Sequence, residues 1–311
     1  MANTANIKSK MPGRTHLYRN WVIDGLRWNF VRLRGDDIVI TTSYKAGTTW
    51  MQGIVANLIF GGEPPTPVGV LSPFLEARGM PLEIELTQLE GQTHRRFIKT
   101  HLPLDGFPFD RRLKYIYIGR DPRDVFVSLW NHHSNYTQET LALLAGIPGR
   151  TGDLPRLYKD IHDFWSDWIS KGSFPWESDG YPYWSHFYHA QSYWDFRHLP
   201  NFLFAHYSDL LADLEGEMRR IAAFLGIAVS ETAWPQLVRN CTFEGMKAKG
   251  EQYAPSMGIA WKGGARTFFH QGTNGRWREA LTVDELAQYE QAASRALSPD
   301  CRKWLESGGR I

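Results

Sequence analysis

The sequence is poor in cysteine, in excess charge and in long apolar runs, and each shortage excludes a class of protein. Its 311 residues include only two cysteines, Cys241 and Cys301, too few for a disulfide framework or a structural zinc site. The formal net charge is +2, so we expect no nucleic-acid partner. No apolar run is long enough to span a membrane, and residues 1–13 lack the apolar core of a signal peptide. These shortages predict a cytoplasmic enzyme that forms one domain over residues 1–311.

Two common catalytic motifs are also absent. The chain has no Gly-Lys dipeptide, and therefore no Walker A loop, which needs Gly-Lys followed by Ser or Thr. It also lacks the Gly-x-Ser-x-Gly elbow of serine hydrolases. An ordinary P-loop kinase is disfavoured on these grounds, although a related fold stays open.

The segment 36–58 (DDIVITTSYKAGTTWMQGIVANL) is typical of a strand, a tight loop and a helix in direct succession. Its β-branched run 37–42 predicts a buried parallel strand, and the apolar stripe after Thr48 predicts a helix. The free N–H groups and the dipole of a helix N-terminus favour an anion. Gly47 lets a ligand approach the backbone, and Lys45 adds positive charge. The loop therefore predicts a phosphate-like ligand, whereas a simply capped helix is the blander alternative.

Two further predicted strands end at candidate site residues. One stops at His101, and the other, Lys114–Gly119, leads into Arg120 and a helix that Asp121 would cap. Ligands of open parallel sheets lie beyond the carboxyl ends of the strands. The sequence therefore predicts an α/β fold with a central parallel sheet flanked by helices.

The order Thr-Ser-Tyr-Lys-Ala-Gly-Thr-Thr-Trp over 42–50 resembles the 5′-phosphosulfate loop of the cytosolic sulfotransferases, T-Y-P-K-S-G-T-T-W, with Tyr44 and Ala46 as departures. The resemblance extends over about 36–281. It implies a P-loop-NTPase-like sulfotransferase fold and a donor, 3′-phosphoadenosine 5′-phosphosulfate (PAPS), whose product is 3′-phosphoadenosine 5′-phosphate (PAP). It also implies that the sulfonate passes in line to an acceptor hydroxyl and that no metal takes part.

The same resemblance implies catalytic roles. K-T-H-L-P at 99–103 matches the family segment that carries the base, so His101 would take the acceptor proton and Lys99 would hold the sulfonate. Lys45 would neutralise charge on the leaving nucleotide. The family's R-x-P-x-D motif with a later Ser is also kept, which implies that Arg120 and Ser128 bind the 3′-phosphate.

The remaining donor contacts are implied by partial motifs in the last third of the chain. In the loop that closes over the nucleotide, His270-Gln271 replaces an Arg-Lys pair, so either Arg266 or Arg276 compensates or the donor is held less tightly. The full predicted donor set is Lys45, Ala46, Gly47, Thr48, Thr49, Trp50, Arg120, Ser128, Tyr207, Cys241, Phe243, Met246, His270, Gln271 and Gly272.

The acceptor is predicted only as a small molecule with a hydroxyl group. The aromatic-rich loop 171–183 corresponds to a family segment around the acceptor pocket, so Trp176, Tyr181 and Tyr183 are predicted acceptor contacts, together with Phe74. Ordinary loop packing explains such aromatics equally well. Phenols, sterols, aliphatic alcohols and the sugar of a glycolipid all stay open.

Three expectations concern structure away from these motifs. Helices are predicted over 21–33, 154–170 and 209–225, the last capped by Ser208 or Asp209. His186 and His189 are interpreted as exposed or polar-face histidines rather than as metal ligands. Arg278, Thr282 and Val283 partly match the family's dimer motif, although Ala287 replaces its Glu, and they predict a homodimer.

Two rival functions stay open at this point. The first is a P-loop-type kinase or nucleotide-binding protein on the same fold. The second is a non-catalytic scaffold, for which the His270-Gln271 departure is the main argument. Retention of Lys45, Lys99 and His101 argues against the scaffold, whereas the kinase lacks its Walker A loop and a convincing acidic magnesium ligand, since Asp105 and Asp121 are poor candidates.

Overall fold

A sheet of four parallel strands forms the centre of the molecule. The computed structural model describes residues 11–147, 151, 154–254, 262, 269 and 271–311. The strands are β1 Ile38–Thr42, β2 Phe97–Thr100, β3 Lys114–Gly119 and β4 Phe202–His206, in the spatial order β2-β1-β3-β4. Every pairing is parallel, and β1 is buried along its whole length, as its β-branched sequence predicts.

Helices account for most of the remaining described residues. They are α1 Thr48–Phe60, α2 Val68–Leu71, α3 Leu82–Glu90, α4 Pro122–Ser134, α5 Gln138–Ala145, α6 Ile161–Ser170, α7 His186–Trp194, α8 Tyr207–Ala212, α9 Leu214–Leu225, α10 Trp234–Cys241, α11 Phe243–Ala248, α12 Gly250–Tyr253, α13 Trp277–Ala280, α14 Val283–Ala296 and α15 Pro299–Ser307. Two short 3-10 helices are Gly25–Phe30 and Leu104–Gly106. Within the described residues, no helix is both long and apolar enough to cross a membrane.

Hydrophobic clusters cover both faces of the sheet. Alternate side chains of β1 belong to different clusters, because successive residues of a strand point to opposite faces. Val39 packs in a cluster rich in aromatics that includes Phe126 and Trp168, whereas Ile40 packs with Ile54 of α1. The prediction of a single α/β domain whose parallel sheet is flanked by helices is thus confirmed.

The predicted helix over 21–33 is wrong, because local polar contacts hold this segment in another conformation. The Asn20 side chain accepts hydrogen bonds from the N–H groups of Val22 and Ile23, at 3.0 Å each. Trp21 Nε1 donates to the carbonyl of Pro182 at 2.7 Å. Only the 3-10 helix Gly25–Phe30 forms, and it starts after the cap Asp24.

Other helix boundaries also differ from the predicted ones. The helix expected over 154–170 begins only at α6, and α3 was not predicted at all. The helix expected over 209–225 is divided at Asp213, whose φ and ψ of −148° and 78° are not helical. Its predicted caps, Ser208 and Asp209, are wrong, because α8 begins at Tyr207 and the His206 side chain accepts from the N–H of Ser208.

The expectation that His186 and His189 are exposed or lie on a polar face is also wrong. Both side chains on α7 are buried and packed among aromatic rings, His186 against Tyr44 and His189 against Tyr117. In the part of the chain that the structure describes, no three His, Cys, Asp or Glu side chains are grouped so that they could hold a metal ion.

Candidate active site

The carboxyl ends of β1, β2 and β3 lie at one edge of the sheet, and each is followed by a predicted site residue. Thr41 pairs with Thr100, so Lys45 and His101 emerge side by side, and Arg120 follows the next strand. They line one cavity of about 550 Å³. The predicted site residues that line it are Lys45, Gly47, Thr48, Thr49, Trp50, Phe74, Lys99, His101, Arg120, Ser128, Tyr183, Tyr207, Phe243, Met246, Gln271 and Gly272.

The loop between β1 and α1 turns through two residues with positive φ. Gly47 has a φ of +115°, and a Cβ atom there would lie 3.1 Å from Cδ2 of Tyr207. Lys45 has a φ of 58°, in the left-handed region that only small polar residues and glycine commonly enter. No side chain of the described residues accepts a hydrogen bond at the N-terminus of α1. The N–H groups of its first turn, which belongs to the cavity lining, can therefore bind a ligand. The loop has the features of an anion site.

His101 is held as a neutral imidazole with one defined tautomer. Its Nδ1 lies 2.8 Å from the carbonyl oxygen of Thr42, which can only accept, so Nδ1 carries the proton. Burial lowers the pKa of His101 to about 3, and the charges of Lys99 and Lys45 act in the same direction. Nε2 therefore keeps its lone pair, and it is this nitrogen that can accept a proton.

Two lysines of reduced basicity share the cavity with His101. Burial lowers the pKa of Lys45 to about 7, helped by the charge of Arg120. Burial also lowers the pKa of Lys99 to about 8, although Glu76 and Glu85 act against it. The Lys99 ammonium lies 5.0 Å from the centre of the Phe74 ring. The site therefore concentrates cationic groups that would be stabilised by an anionic ligand.

Glu76 stabilises the part of the cavity wall that carries His101. The sequence analysis did not predict this role. Its buried carboxylate accepts from the N–H of His101 at 2.6 Å, from Thr100 Oγ1 at 2.8 Å and from Trp28 Nε1 at 2.9 Å. Burial raises the pKa of Glu76, and these hydrogen bonds oppose that rise. The carboxylate fixes the end of β2, and with it the backbone of His101.

The guanidinium of Arg120 is buried and held by the loop 271–276. It donates to Asn274 Oδ1 at 3.1 Å, to the carbonyl of Thr273 at 2.9 Å and to the carbonyl of Lys45 at 3.1 Å. It also lies 4.1 Å from the centre of the Tyr207 ring. The predicted phosphate-binding arginine thus lines the cavity with three of its five N–H groups bonded to protein oxygens and two left for a ligand.

The loop 271–276 is tied to α4 through its backbone. Asp124 accepts from the N–H of Gly275 at 2.8 Å and from the N–H of Arg276 at 3.1 Å. These bonds leave the Arg276 side chain half-buried and lining the cavity. His270 lies outside the described residues, as does Arg266, the other arginine considered in the sequence.

We call the part of the cavity lined by the predicted donor residues the donor half, and the part lined by the predicted acceptor residues the acceptor half. Aromatic side chains form one end of the donor half. Trp50 and Tyr207 meet edge to face at 5.2 Å, and Phe243 and Met246 line the same end. Two predicted donor residues are not part of the lining, because both are buried in the core. The side chain of Ala46 is fully buried, and Cys241 contributes only its carbonyl, which accepts from Trp50 Nε1 at 2.8 Å.

The acceptor predictions divide in two. Phe74 and Tyr183 line the cavity, but Trp176 and Tyr181 do not. Trp176 stacks on His16 at 4.2 Å and donates to Tyr18 Oη at 3.2 Å, so its surface is used in packing away from the cavity. Half-buried Tyr181 directly precedes the buried Pro182 and stays outside the lining.

Several lining residues were not predicted. They come from separate parts of the chain and include Trp21, Val22, Tyr44, Gln52, Asn131, His132, Tyr136, Thr140, Leu144, Trp184, Tyr253 and Thr273. A sequence signal existed only for His132 and Tyr136, which are four residues apart at the end of a predicted helix and so share one face. Among these residues, Trp21 and Trp184 add flat aromatic surfaces, while Tyr136, Asn131 and His132 add hydroxyl, amide and imidazole groups.

Comparison with known proteins gives consistent matches over most of the chain. A family model described as "Sulfotransferase domain" matches residues 35–299. The chain is 34% identical over 311 residues to the glycolipid sulfotransferase of Mycobacterium tuberculosis, which covers 94% of this chain and 95% of that protein. It is 27% identical to sulfotransferase 1A1 of Rattus norvegicus, with 86% of each covered. The crystal structure of retinol dehydratase with androsterone and inactive cofactor PAP has a TM-score of 0.65 at 26% identity, covering 88% of this chain and 84% of that one.

Proposed function

This chain belongs to the sulfotransferase family, as its sequence motifs predicted, and we propose that it transfers the sulfonate of PAPS to a sugar hydroxyl of a glycolipid. The observation that carries the proposal is the convergence of His101, Lys45 and Lys99 on one cavity wall, next to Arg120. A P-loop kinase, the rival interpretation, is not favoured, because the matches run to sulfotransferases and the Walker A loop is absent.

The charged, hydroxyl and aromatic groups of the cavity lining suit the chemistry of PAPS. Lys45, Arg120 and the uncapped first turn of α1 offer cationic and N–H donors for phosphate groups, and Ser128 adds a hydroxyl. Trp50 and Tyr207 offer flat surfaces for the adenine. When bound, the donor supplies the sulfonate group. The PAP-bound retinol dehydratase structure supports this choice of donor.

His101 is the proposed general base. Because Nδ1 is committed to the Thr42 carbonyl, Nε2 can remove the proton of an acceptor hydroxyl. Its low pKa keeps the imidazole neutral in the free protein. Negative charge beside Lys99 and Lys45 would raise the pKa of His101 and strengthen it as a base.

Lys45 and Lys99 are proposed to act as fixed positive charges. Transfer of a sulfonate, like that of a phosphoryl group, spreads charge over peripheral oxygens, so positioned cations supply most of the stabilisation. Lys45 would neutralise the oxygen of the leaving nucleotide, and Lys99 would hold the sulfonate oxygens. No metal is proposed for either role.

The acceptor half favours a molecule with a flat apolar face and several hydroxyls. Phe74, Trp21 and Trp184 provide aromatic surface, while His132 and Tyr136 provide hydrogen-bonding groups. A sugar ring presents C–H faces and hydroxyls together, and the Mycobacterium tuberculosis relative is a glycolipid sulfotransferase.

The donor assignment is tested by calorimetric titration with PAP, AMP and ATP with Mg²⁺. We expect PAP to bind most tightly and the Arg120→Ala variant to lose that preference. Arg123→Ala is the matched control, since Arg123 lies in the first turn of α4, just after Arg120 in the chain, but pairs with Asp121 and does not line the cavity. Preference for ATP with Mg²⁺ would overturn the donor assignment.

The acceptor and the base are tested by transfer of labelled sulfonate from PAPS. The acceptors are a galactosyl lipid, its deacylated sugar and nitrophenol, and we expect the galactosyl lipid to give the highest kcat/KM. His101→Gln should lower kcat by at least about a hundredfold and leave PAP binding unchanged. Transfer to nitrophenol alone would remove the glycolipid proposal and keep the sulfotransferase. A cytoplasmic location and a homodimer remain predictions from the sequence.

A further inference from the structure

A row of hydrogen-bonded side chains runs from the acceptor half of the cavity to Lys45. Lys45 Nζ lies 3.4 Å from His132 Nδ1, and His132 Nε2 lies 3.2 Å from Tyr136 Oη. Tyr136 Oη is 3.5 Å from Tyr183 Oη, which is 3.5 Å from His133 Nδ1. We refer to these five residues as the relay.

The far end of the relay fixes its direction. His133 Nε2 lies 2.8 Å from the carbonyl oxygen of Arg156, which can only accept, so Nε2 carries the proton. Burial lowers the pKa of His133, which keeps the ring neutral and leaves Nδ1 as an acceptor. Tyr183 must then donate to His133, and its oxygen accepts from Tyr136.

The same logic continues to Lys45. Tyr136 donates to Tyr183, so its oxygen accepts from His132 Nε2–H. Burial lowers the pKa of His132 well below its ordinary value, which makes the ring neutral with its remaining lone pair on Nδ1. That lone pair faces Lys45 Nζ, which is a donor. Each hydrogen bond of the relay therefore has one assigned donor and one assigned acceptor.

We propose that His132 is a positioning residue for Lys45, whose Nδ1 accepts from the ammonium and couples it through Tyr136 to the acceptor wall. The inference rests on the proposed sulfonate transfer, and it adds a link between the two halves of the cavity. Since Tyr136 and Tyr183 also line the acceptor half, an acceptor hydroxyl that bonds to either one changes the relay that ends at Lys45.

The inference is tested without catalysis by pH-dependent modification of Lys45 with an amine reagent, followed by peptide mass spectrometry. Among the described residues, the titratable or charged groups that face Lys45 include Arg120 ahead of α4, His101 after β2 and His132 on α4. In His132→Phe the ammonium loses the acceptor Nδ1, so the pH of half-modification should fall by about one unit. His132→Asn, which keeps an acceptor near Nδ1, should stay close to the wild type.

The second test of the inference is a measurement of kcat in variants of the relay. His132→Phe and the isosteric Tyr136→Phe should both lower kcat, the former by about tenfold and the latter by less. His162→Gln, in a partly exposed histidine of α6, is the control for loss of a histidine elsewhere. Unchanged Lys45 modification together with unchanged kcat in His132→Phe would overturn the inference. If the wild type transfers no sulfonate to any acceptor, the proposed function fails, and the modification arm still decides the coupling.

Discussion

At the scale of single residues, the charge states of three side chains determine how the cavity responds to pH. Lys45 and Lys99 work as ammonium groups, but burial lowers their pKa values to about 7 and about 8. His101 works as a neutral base, and its pKa is lowered to about 3. The useful protonation state of the free protein is therefore present at neutral and mildly acidic pH and is lost as pH rises.

We accordingly predict that kcat/KM for the donor is flat from about pH 5 to 6.5 and falls above about pH 7. The decline should steepen above about pH 8, when Lys99 loses its proton as well. Initial rates between pH 5 and 9 at a fixed ionic strength measure this profile. A rate that instead rises from pH 6 to 8 would mean that an ordinary histidine limits the reaction.

Arg276 provides a second prediction for single residues. It lines the cavity close to Arg120, in a loop where the expected Arg-Lys pair is His270-Gln271. If Arg276 replaces the missing charge, Arg276→Ala should weaken PAP binding by about tenfold, as for one charge-assisted hydrogen bond, and should weaken AMP binding less. Calorimetry measures both affinities. Arg278→Ala is the control, because Arg278 is exposed and stacks on Trp277; equal losses in both variants would contradict the role of Arg276.

Individual roles could be predicted only where a residue sits in a local motif. Lys45, His101 and Arg120 each follow a strand within a few residues of recognisable turn or cap signals. Glu76 has no such signal, because its importance comes from hydrogen bonds to Trp28, Thr100 and His101, which are distant in the chain. Those contacts exist only once the sheet has formed.

At the scale of elements, the β1–α1 unit is the best-determined part of the chain. Its strand is buried, its helix is periodic, and Gly47 at the junction needs a φ of +115°. We predict that Gly47→Ala destabilises the fold by about 1 to 2 kcal/mol and also abolishes PAP binding, since its Cβ would meet Tyr207. Chemical unfolding and calorimetry measure the two effects.

Gly61 offers a matched control for this element. It ends α1 with a φ of 65°, and a Cβ atom there would meet nothing within 4 Å. Gly61→Ala should therefore cost similar stability, about 1 to 2 kcal/mol, without affecting PAP binding. If both variants bind PAP equally well, the loop geometry at Gly47 does not matter for the donor.

The elements that were predicted wrongly are those in which hydrogen bonds of single polar side chains override the apolar periodicity. Residues 21–33 have apolar spacing suitable for a helix, but Asn20 and the Trp21 bond to Pro182 impose a turn. α8 and α9 are divided by a local contact, because the Asp213 side chain accepts from the N–H of Gly216 and so caps α9. Apolar spacing does not reveal this contact. Boundaries set by single polar side chains are difficult to predict from apolar spacing alone.

At the scale of the whole molecule, the two halves of the cavity differ in how far the sequence could predict them. The donor half is built largely from loops that follow β1 and β3, each contained in one short motif. The acceptor half brings together Trp21, Phe74, Tyr136 and Trp184 from distant segments. Only packing of the complete fold makes these residues neighbours, and of the four predicted acceptor contacts Phe74 and Tyr183 line the cavity whereas Trp176 and Tyr181 do not.

The partial dimer motif leads to a prediction about assembly. Val283 is 82% exposed at the start of α14, and Thr282 fixes that start through a capping box with Glu285. An apolar side chain held so far into solvent on a rigid helix end is suited to a self-complementary contact, in which each copy meets the same patch of the other. We predict that the wild type sediments as a dimer and Val283→Asp as a monomer, because the substitution would bring two carboxylates together in an apolar contact. Leu143→Asp is the control, since Leu143 is also exposed, at 65%, but lies on α5 outside the motif; a wild-type monomer, or a Val283→Asp dimer, would exclude this interface.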